Sequence, residues 1–299
     1  MGGCGDNGIR QECLRRGRDG DCGACRPGIR RRLFRQREAA RHSGVTQVEG
    51  AAGAGLSTWS VITGYGTERS AGISAHHTFV ALDDFTFNAS GVAVGIFDRV
   101  EISYTHQWFD LGKTGGRLGL GDGFTFSQDI VGAKVRLIGD AVYDQDRWLP
   151  QIAAGIQYKR ASKAPILAAV GAGGNDGVDF YLAATKVLLR QSLLLSATAR
   201  LTKANHFGLL GFGNAAGADY QLEWEFSAVY LITRRLVGGV DYRTKPNNLA
   251  FAKEGDAKAV YLAWFPSKHL SVTLAGVDLG PIALQGRQHG VYLSVQTGF

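Results

Sequence analysis

Few residues in this chain have the type and spacing for chemistry, and local geometry disarms most of them. His76 and His77 sit in a stretch that alternates like a strand, so their side chains point to opposite faces and cannot share a metal ion. Each is read as an aromatic-like residue on its own face. Ser103, Thr105 and Gln107 share one face of another strand and His106 takes the other. That excludes a Ser–His dyad within the strand and leaves only a cross-strand arrangement open. Gly171 to Gly177 (Gly-Ala-Gly-Gly-Asn-Asp-Gly) lacks the Gly-Lys-Ser/Thr ending of a phosphate loop and is read as a loop tip. Asp140, Asp144 and Asp146 could collect calcium, although a solvated turn accounts for them more simply. Cys22 and Cys25 have the spacing of half a zinc knuckle, but Cys4 and Cys13 are wrongly placed for the other half and no nearby histidine fits. No catalytic residue, cofactor or metal ligand is therefore assigned, and an enzyme is not expected.

A second set of polar residues is more coherent. Glu101, Lys134, Arg136, Lys159, Arg200, Glu223, Glu225, Asp241 and Arg243 all stand on the polar faces of alternating stretches. Their signs are mixed. A strongly selective pore would bias one sign, so these residues either line a weakly selective passage or pair across a filled interior.

The elements that must position them are strands. From Val45 onward the chain is made of short runs rich in Val, Ile, Leu, Tyr, Phe, Trp and Thr, broken by Gly, Asn and Asp. Leu222, Trp224, Phe226, Ala228, Tyr230 and Ile232 face one way; Gln221, Glu223, Glu225 and Ser227 face the other. The same period of two runs through Val100 to Trp108, Val131 to Leu137 and Leu193 to Leu201. No run reaches the roughly eighteen apolar residues that a membrane helix needs. Alternation alone does not separate a soluble sandwich, apolar side inward, from a membrane barrel, apolar side outward.

Turn spacing and the carboxyl terminus favour the barrel. Tight turns at 97–99, 146–148, 190–192, 233–235 and 266–268 recur at intervals of 49, 44, 43 and 33 residues, each leading into a strand. Long Gly-rich connections lie between them, near 111–124, 161–177, 205–219, 246–256 and 278–289. Short turns on one side and long loops on the other characterise a transmembrane β-barrel, with the short side periplasmic. Val291, Leu293, Val295, Thr297 and Phe299 alternate up to an aromatic terminus. This looks like the final strand of a Gram-negative outer-membrane barrel, the one read by the barrel-assembly machinery, with Phe299 as the assembly signal. The expected fold is an all-β antiparallel transmembrane barrel of about fourteen strands, with twelve as the fallback, and the first expected strands at 44–51 and 56–65.

Charge and cysteine divide the chain at the same place. The total charge is +7, but residues 1–42 hold eleven Arg against five acidic residues, and the remainder carries 22 basic and 21 acidic ones. Nucleic acid is therefore not an expected partner of the folded part. All four cysteines lie within the first 25 residues. A cysteine-free barrel suits export through an oxidising compartment. Residues 1–43 show no apolar signal-peptide run. They are expected to be an unstructured basic segment, a gene-model or frameshift product standing where a signal peptide belongs, ahead of a barrel at 44–299.

Several strings are specific: Val48-Glu49-Gly50-Ala51-Ala52-Gly53, Gly91 to Glu101 (Gly-Val-Ala-Val-Gly-Ile-Phe-Asp-Arg-Val-Glu), Gly139 to Gln151, Thr202-Lys203-Ala204-Asn205, Tyr242 to Leu249, Pro266 to Ser271 and Val295-Gln296-Thr297-Gly298-Phe299. Through them residues 44–299 resemble a family of uncharacterised Gram-negative outer-membrane proteins known as a domain of unknown function. The resemblance implies an outer-membrane barrel with a cleaved signal peptide and supplies no activity. The function expected is a channel, transporter or binding protein for a small solute or lipid-like ligand, in contact with outer-membrane lipid. The alternatives are a lipid-modifying enzyme of the outer membrane and a purely structural barrel.

Overall fold

The computed structural model of the protein describes residues 45–141, 148–217, 219–250 and 253–299. The expected Asp144, Asp146 and Arg147, residues 1–43 and all four cysteines lie outside the described residues. Twelve strands make the wall: β1 (Ala71–Leu82), β2 (Thr86–Ile96), β3 (Val100–Asp110), β4 (Thr125–Ile138), β5 (Gln151–Ala161), β6 (Asp176–Leu188), β7 (Leu193–Thr202), β8 (Gln221–Leu231), β9 (Leu236–Arg243), β10 (Ala257–Ser267), β11 (Leu270–Ile282) and β12 (Gln285–Gly298). Each strand pairs antiparallel with its neighbours in sequence, and β1 pairs with β12 from Ser74↔Gly298 to Leu82↔Gly290. The sheet therefore closes on itself and leaves no open edge.

Exposure settles which face of the alternating strands turns outward. Leu222, Trp224, Phe226 and Tyr230 are 43–55% exposed, while Glu225 and Ser227 beside them are at most 4% exposed. Apolar residues coat the outside and polar residues are enclosed, the inverse of a soluble sandwich. Pro266 and Pro281, which cannot donate to a ladder, fall within shifts of strand register. Inside, Tyr181 and Tyr261 lie flat over Gly155 and Gly239 of the paired strands, where an added Cβ would come within 2.3–2.4 Å of the ring. Only glycine leaves space for these rings.

The strand number is twelve rather than fourteen because the first two expected strands do not join the wall. Residues 45–64 run inside the barrel, paired only with themselves through the bridges Thr46↔Ala52 and Gly53↔Thr58. A segment with this many glycines (Gly50, Gly53, Gly55, Gly64) folds back on itself instead of extending. One expected long loop is also absent. Residues 278–289 form the tip of the β11–β12 hairpin, and only Ala283 and Leu284 separate the strands. Three of the other long connections hold short helical elements: α1 (Gly112–Arg117), α2 (Ala164–Ala169) and a 3₁₀ turn at Asn205–Gly208.

Candidate functional site: a lumen held by its own amino-terminal segment

Irregular backbone buried in a barrel must find partners for its amides. The wall supplies them as side chains. Glu101 on β3 accepts from the amides of Ala52 (3.0 Å) and Thr63 (2.8 Å). Asp241 on β9 accepts from Leu56 (3.0 Å), Glu225 on β8 from Thr58 (2.7 Å), and Thr185 on β6 from Ser60 (2.9 Å). Gln296 on β12 accepts from Thr46 at 2.7 Å. Residues 45–64 thus form a plug tied to strands all around the wall.

One side chain of the plug enters the charge network. The Glu49 carboxylate receives both terminal nitrogens of Arg243 at 3.1 Å, Lys159 Nζ at 2.5 Å and, more distantly, Arg200 Nη2 at 3.7 Å. Lys159 also pairs with Asp179 at 2.8 Å, and Arg200 Nε with Glu225 at 2.6 Å. Arg200 further donates to Gln157 Oε1 at 2.6 Å and to Thr58 Oγ1 at 2.9 Å. Beside this cage, Lys134 pairs with Glu101 at 3.0 Å and reaches the carbonyl of Trp59 at 3.2 Å. Glu49, Lys134, Lys159, Arg200 and Glu225 are at most 1% exposed. Charges taken this far from water are tolerable only when paired and hydrogen-bonded, and here each has partners of opposite sign. Two cavities beside the plug are small, about 30 Å³ next to Trp59 and about 40 Å³ next to Leu56.

The long-loop mouth is closed by the connection that follows β7. The Phe207 carbonyl accepts from Gln128 at 3.1 Å and Lys159 at 3.4 Å, and the Phe207 ring stacks on the Arg243 guanidinium, 4.5 Å from centroid to Cζ. Both oxygens of Glu254 accept from the backbone amide of His206, at 3.0 and 2.9 Å. Burial pushes the Glu254 carboxyl up to about 7 against the pull of Lys245, and the same burial brings Lys245 down to about 8. Burial, with Lys245 alongside, holds the His206 imidazole well below its ordinary value, so it is neutral and its Nε2–H donates to the Pro281 carbonyl at 3.1 Å.

Seven of the nine expected lumen residues come together in this network: Glu101, Lys134, Lys159, Arg200, Glu225, Asp241 and Arg243. Arg136 and Glu223 do not. Arg136 is half-buried at the short-turn rim, paired with Asp98 at 2.8 Å and Asp140 at 3.4 Å. Glu223 accepts from the Thr244 hydroxyl near the opposite mouth. Phe299 is 58% exposed and stacks on His269, with centroids 4.8 Å apart, while its carbonyl accepts from Ile73 at 2.9 Å. Local pattern missed two members of the network. Asp179 stands between the outward Val178 and Phe180, so its parity alone pointed inward. Glu49 is the single acidic residue of its segment, and the glycines around it were the sign that this was not a wall strand.

A family model for proteins of unknown function, DUF3034, matches residues 42–296. The chain belongs to this family. No curated protein matches it. Among solved structures the fold resembles the KdgM porin, with a TM-score of 0.50 at 10% identity over 76% of this chain and 99% of that one. It is also similar to outer-membrane phospholipase A from Escherichia coli (TM-score 0.45, 8% identity, 79% of this chain and 94% of that one). A third is the COG4313 outer-membrane channel from Pseudomonas putida F1 (TM-score 0.43, 12% identity, 77% and 94%). At these identities the likeness concerns architecture: the DUF3034 chain is a porin-like β-barrel of the outer-membrane type.

Proposed function

We propose that this DUF3034 protein is a gated outer-membrane channel for a small anionic solute, closed at rest by residues 45–64 in the lumen and by the connection after β7 at the long-loop mouth. The observation that carries this reading is the Glu49 carboxylate inside its cage of Lys159, Arg200 and Arg243. The wall closes its hydrogen-bond ladder without the plug. Displacing the plug therefore leaves the barrel intact and empties a carboxylate-shaped site. Glu49 acts as a tethered stand-in for the solute. With Glu49 withdrawn, that level of the lumen presents three cations against the carboxylates Asp179 and Glu225, a mild excess of positive charge that favours anions.

Single-channel recording of the full chain in planar bilayers tests the idea. The wild type is expected to be silent or to open rarely. Glu49→Gln opens in frequent unitary steps, and in a potassium chloride gradient its reversal potential shifts toward that of chloride. Silence, or cation preference, from a Glu49→Gln protein whose gel migration is heat-modifiable refutes the reading.

A further inference from the structure

Outside the lumen, the lipid-facing wall carries a connected row of groups that belong to catalysis more often than to a membrane surface. The register sets Asp129 of β4 opposite His106 of β3, His106 opposite Ser90 of β2, and Ser90 opposite His77 of β1. Direct cross-strand neighbours have Cβ atoms about 5 Å apart. His106 Nδ1 is 2.6 Å from Asp129 Oδ1, which also accepts from the Tyr104 hydroxyl at 2.8 Å. His77 Nδ1 is 2.7 Å from Ser90 Oγ. The Trp108 ring packs edge-on against His106, with centroids 4.5 Å apart. Arg160 of β5 lies opposite Asp129, with Asp176 of β6 beyond it, while Val295 of β12, opposite His77, ends the row on the other side. Adjacent polar positions on an outward face are costly where the residues beside them, Val92, Tyr104 and Val131, present apolar surface.

The hydrogen bonds have a direction. With its Nδ1–H given to Asp129, His106 keeps a basic Nε2 on the ring edge available to a reacting group. If His77 Nδ1–H donates to Ser90 Oγ, the Ser90 hydroxyl proton is left for His106, its partner across the β2–β3 ladder. This is the order acid, imidazole, hydroxyl that activates a serine nucleophile. All four groups face the place where lipid lies, four or five residues inside the long-loop ends of β1 to β4.

We propose that Ser90, His106 and Asp129, with His77 as a second donor, form an acyl-transfer site on the outer wall that cleaves an ester of a membrane lipid. Ser90 Oγ attacks the ester carbonyl carbon while His106 Nε2 takes the hydroxyl proton, and His77 Nδ1–H donates to the oxygen that becomes negative. The bond from carbonyl carbon to the alcohol oxygen breaks, and His106 passes the proton to the departing alcohol. Water then attacks the acyl-serine, loses a proton to His106, and the serine oxygen recovers it. The net change is ester plus water to fatty acid plus lysolipid. The site is independent of the lumen and of whether the plug moves.

The test uses the full chain folded in detergent, with heat-modifiable migration as the check on folding. A fluorophosphonate probe is expected to label the wild type at Ser90, located by peptide mass. The protein also releases fatty acid from phosphatidylethanolamine or lipopolysaccharide presented separately; either release supports the site, and the difference names the source of the ester. Ser90→Ala loses both label and release. Asp129→Asn lowers the labelling rate by about 10²-fold or more, the scale of general-base assistance. A folded wild type that takes no label, or a Ser90→Ala protein that keeps it, overturns the proposal. Label without fatty-acid release from either substrate overturns the lipid assignment.

Discussion

Glu101 fastens two amides of the plug to the wall, and its replacement has a calculable effect. Its two oxygens accept from the amides of Ala52 and Thr63, and the first also faces Lys134 at 3.0 Å, with both side chains 1% exposed. Glu101→Gln removes the charge and leaves Lys134 an enclosed cation with the Trp59 carbonyl as its remaining partner. Breaking one side of a buried ion pair costs about 3–5 kcal/mol. Losing one of the two amide contacts, because Gln has a single acceptor oxygen, adds roughly 1–3 kcal/mol. At about 1.4 kcal/mol per tenfold, the lower figure alone multiplies the fraction of molecules with a loosened plug by roughly 10². Adding Lys134→Met removes the stranded charge, and replacing both partners of a buried pair with apolar or neutral groups is often nearly neutral. The double variant should thus be tighter than the single. Hydrogen exchange of the peptides holding Ala52 and Thr63, in detergent and with migration as a folding control, measures both. Exchange in Glu101→Gln that matches the wild type, or a double variant looser than the single, would show that the ion pair does not hold the plug.

Other expectations follow from the wall and the mouth. Gly155→Val drives a side chain into the Tyr181 ring and should lower refolding yield sharply, whereas Gly276→Ala, with open space at its Cβ, leaves yield unchanged. Leu262→Arg, on the outward face midway along β10, should cost about 2–4 kcal/mol against Leu262→Ala in denaturant titrations in lipid. The mouth also carries a pH signature. Because the docked Glu254 carboxyl lies above its free value, its contribution is full below about pH 4.5 and is lost as pH rises through about 7. The buried neutral His206 has the opposite sign, losing its contribution as pH falls below 6.5, so the wild-type profile is partly cancelled. Glu254→Gln removes the first term and also the carboxylate that holds up Lys245, which then resists protonation further as pH falls, an effect in the same direction. Relative to wild type it should slow exchange of the His206 peptide at pH 8 and lose that advantage at pH 4; a pH-independent difference refutes the assignment.

The wall was legible because a period of two, repeated between turns, is a local signal, and all twelve observed strands coincide with stretches that alternate. Residues 44–51 and 56–65 share the composition of the strands, and although their glycines speak against a wall strand, sequence does not say that their amides are met by Glu101, Glu225 and Asp241. Alternation placed seven lumen charges on the inner face. It could not say that Lys159, Arg200 and Arg243 converge on Glu49, since parity is set by the strand while the partner across the lumen is set by the closed circle. The outer row has the same origin. His77 and His106 were each assigned a face, but bringing Ser90 between them takes the register, and period two fixes register only to within an even number of residues.

The plug's reach has a consequence for the order of folding. Thr46 meets Gln296 across 250 residues of chain, and its neighbours need carboxylates from β3, β8 and β9 in the same cross-section. Those acceptors come together only when β12 has closed on β1. The described segment that leaves the ribosome first accordingly completes its contacts only when the last strand is in place. Closing the circle costs loop entropy once for the longest separation in the chain. Docking the plug is then a local, unimolecular step, whose rate can be followed separately from strand formation.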